Sequence, residues 1–181
     1  LVVASNANDV LLRFYKTGLM AKKKTIKTLS PSMDIQISSN FERLLFDFSE
    51  NMNIKELFKN LKKNGSFFVN DKKLDEITKF FYFGSISDTD TARTIKQIFN
   101  DYKIIIDPHT AVGISLGRSI LGSESINIYL ATAHYGKFVE TINESLDRKV
   151  DLPERLKDLY KKKEKFKVIE NNLDLIENYI G

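Results

Sequence analysis

The chain has 181 residues, of which 42% are hydrophobic and 29% charged, with a net charge of +4 and no cysteine. Such a length and balance fit one moderate folded core, or one domain and part of another; they exclude a disordered-type composition, disulfide stapling and thiolate chemistry. Apolar runs fall far short of the roughly 20 residues of a membrane span, no signal-peptide pattern opens the sequence, and the expected location is the cytoplasm.

Residues 1–4, Leu-Val-Val-Ala, read as a buried strand. A sequence that opens on a buried strand, with no initiator methionine, is expected to be a piece of something larger. Asn8 and Asp9 then cap a helix through Arg13 to Thr17, which Gly18 ends in the left-handed position. Lys22, Lys23 and Lys24 are loop, residues 28–37 are semi-extended, and Ser38, Ser39 and Asn40 open a helix carrying Leu44, Leu45 and Phe48.

From residue 53 to 83 the pattern turns lysine-rich and amphipathic, with Ile54, Leu57, Phe58 and Leu61 at spacings of three and four. Asn64-Gly65 breaks that helix, residues 67–69 form a short strand, and a further helix covers about 74–81. The aromatics Phe67, Phe68, Phe80, Phe81, Tyr82 and Phe83 are expected in a core. Ser87 starts a helix to about Tyr102 that presents Ile95, Ile98 and Phe99 on one face.

Residues 104–106 read as a strand, about 108–121 as a helix, and 126–131 as the clearest strand of the chain. An amphipathic helix follows over 137–146, residues 150–153 lead into another with Pro153 near its first turn, and 168–180 form a last capped helix. The run Lys161-Lys-Lys-Glu-Lys-Phe-Lys167 is the densest basic stretch. Without a recognised binding fold it reads as a solvated face, and nucleic acid is not an expected partner.

Chemistry concentrates at two strand ends. Leu130-Ala-Thr-Ala-His-Tyr-Gly-Lys-Phe138 brings a hydroxyl, an imidazole and an ammonium into one turn, and Asp107-Pro-His-Thr-Ala111 holds the second of the two histidines. Ligands of open α/β sheets collect beyond the carboxyl ends of the strands. Two histidines without thiolates are a poor basis for a zinc site, and no metal is expected.

With Ala4-Ser-Asn-Ala-Asn-Asp9, Thr28-Leu-Ser-Pro-Ser-Met-Asp-Ile35 and Ser39-Asn-Phe-Glu-Arg-Leu-Leu45, these segments resemble the C-terminal part of threonine synthases, in the branch with an extended C-terminal region. The resemblance spans roughly residues 4 to 138, in the family's order. It implies an α/β fold: the C-terminal part of a fold-type II pyridoxal-phosphate enzyme, akin to the tryptophan synthase β-subunit, helix-rich with a few strands. The implied organisation is 1–50 as part of the cofactor-binding domain, 51–86 as a helical accessory lobe, 87–150 as the rest of the cofactor-binding domain and 151–181 as a C-terminal helical extension.

The resemblance further implies that Thr132 meets the pyridine nitrogen of pyridoxal 5'-phosphate. His134, Lys137 and His109 become candidate catalytic groups, and Asn6, Asn8 and Arg43 candidate contacts to O-phospho-L-homoserine. For His134 a turn-holding role stays open beside a direct one, for His109 a place in the active-site wall, and for Arg43, helix-borne after Glu42, a surface ion pair. Tyr135-Gly136 departs from the family's usual Pro-Ala, which bears on the rigidity of the turn. The family's Schiff-base lysine and its Gly-Asn-Phe-Gly-type phosphate loop belong to the N-terminal half, so that half is the expected partner and the stretch alone is expected to be inactive. Two other readings compete: a non-catalytic truncated homologue acting as an interaction module, and another β-replacing pyridoxal-phosphate enzyme of this fold. Exposed apolar faces on 1–4 and 126–131 would favour a missing half, and buried ones a self-sufficient module.

Overall fold

The opening strand β1 (Val2–Ser5) pairs in parallel with β4 (Tyr82–Ser85), Val3 opposite Phe83 and Ser5 opposite Ser85. A second pair, β2 (Leu19–Ala21) with β3 (Ser66–Phe68), is antiparallel. Both belong to a computed structural model that describes residues 1–48, 52–121 and 126–181. Neither β2 nor β4 is signalled in the sequence, because three or four residues are too few to establish a period.

The crossover that parallel pairing requires holds most of the first core. α1 (Val10–Thr17) ends at Gly18, whose φ of 67° lets its N–H donate to the Phe14 carbonyl. α2 (Ser39–Asp47) follows, then α3 (Ile54–Asn64), whose start is capped by Asn53 accepting the Glu56 N–H at 3.1 Å and whose end is Gly65 at φ 80°. α4 (Asp71–Thr78) is capped by Asn70. Phe14, Met20, Phe41, Leu45, Leu61 and Ile77 form the centre of this core, with the Phe14 and Phe41 rings edge to face at 4.8 Å. Of the six aromatics expected inside, Phe67 and Phe83 are buried, whereas Phe68, Phe80 and Tyr82 are exposed. Successive strand residues face opposite sides, so Phe67-Phe68 and Tyr82-Phe83 cannot both turn inward.

A second core joins α5 (Asp88–Tyr102), α6 (Pro108–Ile120) and α7 (Val139–Leu146) through Ile95, Ala111, Ile142 and Leu146. Residues 104–106 are not a strand: they form the connection between α5 and α6, and Ile105 and Ile106 are apolar because they pack on this core. The expected strand at 126–131 is also corrected. The segment belongs to neither sheet, and Ile126, Ile128 and Leu130 are 96%, 86% and 78% exposed. Asn127 and Tyr129 between them are half-buried, so the period-two pattern is real while the ladder that defines a strand is not formed here.

The units Leu1–Val150 and Asp151–Gly181 are separately compact. In the second, the helix expected after Pro153 is reduced to single 3-10 turns at Glu154–Leu156 and Leu159–Lys161. Lys161 and Lys162 stand four and three residues before Lys165, the spacings at which like charges repel on a helix. The last helix, α8 (Leu173–Ile180), is five residues shorter than expected, because Asn172 caps it by accepting the Leu175 N–H at 3.2 Å. Lys167 places its ammonium 4.4 Å from the centre of the Tyr179 ring.

Candidate functional site

α6 begins where it does because Pro108 supplies a preset φ at the first helical position and Asp107 caps the orphan N–H groups. Asp107 Oδ1 accepts the backbone N–H of His109 at 2.9 Å and of Thr110 at 3.3 Å, and Oδ2 accepts the Thr110 hydroxyl. His109 Nδ1 lies 2.9 Å from Asp107 Oδ1, and His109 Nε2 accepts the backbone N–H of Ser32 at 3.1 Å. Accepting that N–H leaves Nε2 with its lone pair and assigns the ring proton to Nδ1. Burial pushes the Asp107 carboxyl up, but the hydrogen bonds from the side chains of His109 and Thr110 and from their backbone N–H groups outweigh it and hold the group below the ordinary carboxylate range.

Beyond this helix start lies a cleft of about 850 Å³. Thr132, His109 and Lys137 line it together, with Ser32 and Met33 from the 28–37 segment, Gly113 and Gly117 from α6, and residues 126–130. Thr132 and Lys137 are both exposed. Among the described residues neither the Thr132 hydroxyl nor the Lys137 ammonium has a hydrogen-bond or ion-pair partner. The His109 ring is buried and packs on Phe138 at 4.7 Å. His134 is not on the cleft wall. Its Nδ1 accepts the Gly136 N–H at 3.0 Å, and its ring stacks on Tyr135 at 4.6 Å, so its contacts hold the turn that carries Lys137.

Asn6 and Asn8 sit elsewhere, 1% and 3% exposed. The Asn6 amide donates to Thr28 Oγ1 at 2.7 Å and to Asp34 Oδ1 at 2.9 Å, and its Oδ1 accepts the Asn8 N–H at 2.9 Å. Asn8 donates to the Ile26 carbonyl at 2.8 Å and accepts the Ile26 N–H at 2.8 Å. Both amides are thereby engaged in fixing residues 26–34, the segment that presents Ser32 to His109. Arg43 is exposed on α2 and lines a different surface groove with Glu42, Phe46 and Asp47. The structure therefore brings three of the seven candidates into one cleft, places two beneath the loop that borders it, one in its turn, and one apart from it.

Gly113 and Gly117 escape a reading based on chemical groups, although their spacing of four on a helix already places them on one face. A side chain at Gly113 would meet nothing within 4 Å, and one at Gly117 would have its Cβ 2.4 Å from the Tyr129 ring. These glycines make the α6 wall of the cleft.

Residues 110–180 match the family described as "Threonine synthase, C-terminal". Over its whole length the chain is 36% identical to threonine synthase of Pseudomonas aeruginosa, covering 39% of that protein. The crystal structure of pyridoxal-phosphate-bound threonine synthase from Brucella melitensis is similar at a TM-score of 0.83 and 36% identity, over 99% of this chain and 39% of that one. Yeast threonine synthase gives a TM-score of 0.81 at 36% identity, over 99% and 41%. The chain thus spans about 40% of the length of the relatives it matches. In sequence and in fold, the chain is similar over its whole length to the C-terminal portion of threonine synthases.

Proposed function

We propose that this chain supplies one wall of the active site of a pyridoxal-phosphate-dependent lyase that converts O-phospho-L-homoserine and water to L-threonine and phosphate. The observation that carries this reading is the convergence of Thr132, His109 and Lys137 on one cleft beside an exposed apolar edge. A self-sufficient interaction module would bury Ile126, Ile128 and Leu130, so their exposure supports completion by further polypeptide of the kind the longer relatives possess.

The donor set fits the cofactor. Thr132 offers an exposed, uncommitted hydroxyl, which can donate to a neutral pyridine nitrogen but cannot supply the charge of a carboxylate. Pyridoxal phosphate, when bound, supplies the electron sink for loss of a proton beside the amino group. Lys137 provides a mobile point charge for an anionic substrate group, and the apolar side chains along 126–130 exclude water from the cleft once covered. His109, with its ring proton committed to Asp107, shapes the wall; His134 orients the turn.

The test is phosphate release from O-phospho-L-homoserine by the full-length gene product loaded with pyridoxal phosphate. Threonine and phosphate should appear in equal amounts, and Thr132→Val should alter the cofactor absorbance and lower kcat. Bound cofactor without phosphate release would overturn the substrate, while an unchanged spectrum and rate in Thr132→Val would remove Thr132 from the cofactor site.

A further inference from the structure

Thr132 stands on a segment that belongs to neither sheet, so among the described residues no strand ladder positions its hydroxyl. A backbone contact does: the Thr132 N–H donates to Thr110 Oγ1 at 3.3 Å. The Thr110 hydroxyl in turn donates to Asp107 Oδ2. Its direction is forced, because a carboxylate accepts only and the single hydroxyl proton is spent on it; the oxygen lone pairs are left facing Thr132. Asp107 is itself buried and held from its other side by His109, whose far nitrogen accepts the Ser32 N–H. Both arms therefore donate inward to the Asp107 carboxylate, the Ser32 N–H through the His109 ring from one border of the cleft and the Thr132 N–H through the Thr110 hydroxyl from the other.

We propose that Thr110 is a positioning residue, which fixes the Thr132 hydroxyl in the cleft by clamping its backbone to the Asp107 cap. The inference rests on the cofactor role given to Thr132 above, and it adds a residue that reaches the cofactor only through another. Thr110 is buried and does not line the cleft.

A double-mutant cycle in the full-length, pyridoxal-phosphate-loaded protein tests it. Thr110→Val keeps the shape and removes both hydrogen bonds; it should shift the cofactor absorbance in the same direction as Thr132→Val and lower kcat roughly ten- to a hundredfold, as a displaced contact does, with KM for O-phospho-L-homoserine little changed. Thr110→Ser restores the oxygen and should return the spectrum and kcat to the starting values. In a Thr132→Val background, Thr110→Val should add no further spectral shift. If Thr110→Val does not fold, Thr110→Ala enters the same cycle. A wild-type spectrum in the single variant, or full additivity of the two substitutions, overturns the proposal. An inactive wild type with bound cofactor overturns the substrate assignment instead, and leaves the spectral cycle to decide the role of Thr110.

Discussion

At the scale of single residues, Asp107 is the most constrained group of the site, since its two oxygens accept four hydrogen bonds while it is almost fully buried. Replacing it by alanine removes a helix cap and strands the Thr110 hydroxyl and the His109 ring N–H in a buried place. Together these should cost about 3 kcal/mol of unfolding free energy. The pH dependence has a definite sign. A carboxyl held below its ordinary value of 3.8 stabilises the fold fully above that value, and the contribution fades as pH falls through the lower folded-state value. Urea unfolding of the wild-type protein and of Asp107→Asn, compared between pH 5 and pH 2, should show the stability gap narrowing as acid is added. A gap that widens toward pH 2 would contradict this account of the cap.

The elements themselves are held by backbone devices whose requirements differ from glycine to glycine. Gly18 closes α1 at φ 67°, and an added Cβ would fall 2.4 Å from the Val69 carbonyl oxygen, a backbone atom that cannot yield. Gly18→Ala should therefore lose about 2 kcal/mol or more in chemical denaturation. Gly113 lies in the middle of α6 with open space before it. There alanine should leave the melting temperature unchanged or raise it, because the helix gains up to about 1 kcal/mol in propensity. Gly113→Leu should keep the fold and weaken cofactor binding, since its side chain would occupy the cleft; equal cofactor affinity in titrations of the two variants would place the ligand elsewhere.

For the molecule as a whole, the exposed edge formed by Ile126, Ile128 and Leu130 is an apolar surface next to the cleft. Residues 1–181 expressed alone should bind a hydrophobic dye, and the double variant Ile128→Ser, Leu130→Ser should reduce that signal with little change in the stability of the stretch. In the full-length protein the same pair should cost about 2–4 kcal/mol, because there the side chains would be buried. Equal stability of the two full-length proteins would mean that nothing covers this edge. Across the described residues no helix is long and apolar enough to cross a membrane.

Within residues 1–150 the helices could be read from the chain alone, because their information is local; the helix expected after Pro153 and the early start expected for the last one could not. Caps at Ser87 and Asp107 and the stop at Gly18 are set by residues one to four positions away. The motif around Thr132 and the histidine after Asp107 were equally visible, since each lies within a few consecutive residues. Tertiary structure decided what depends on distant neighbours. Residues 104–106 and 126–131 have the composition of strands, yet strand pairing needs a partner from elsewhere in the polypeptide. Asn6 and Asn8 look like ligand contacts until the buried loop that consumes their amides is seen, and Arg43 is separated from the cleft by the packing of α2. The linkage from Ser32 through His109, Asp107 and Thr110 to Thr132 joins residues 100 positions apart in sequence. Only a folded chain brings those donors and acceptors within 3.3 Å, since a hydrogen bond is fixed by distance and direction in space, and spacing along the sequence determines neither.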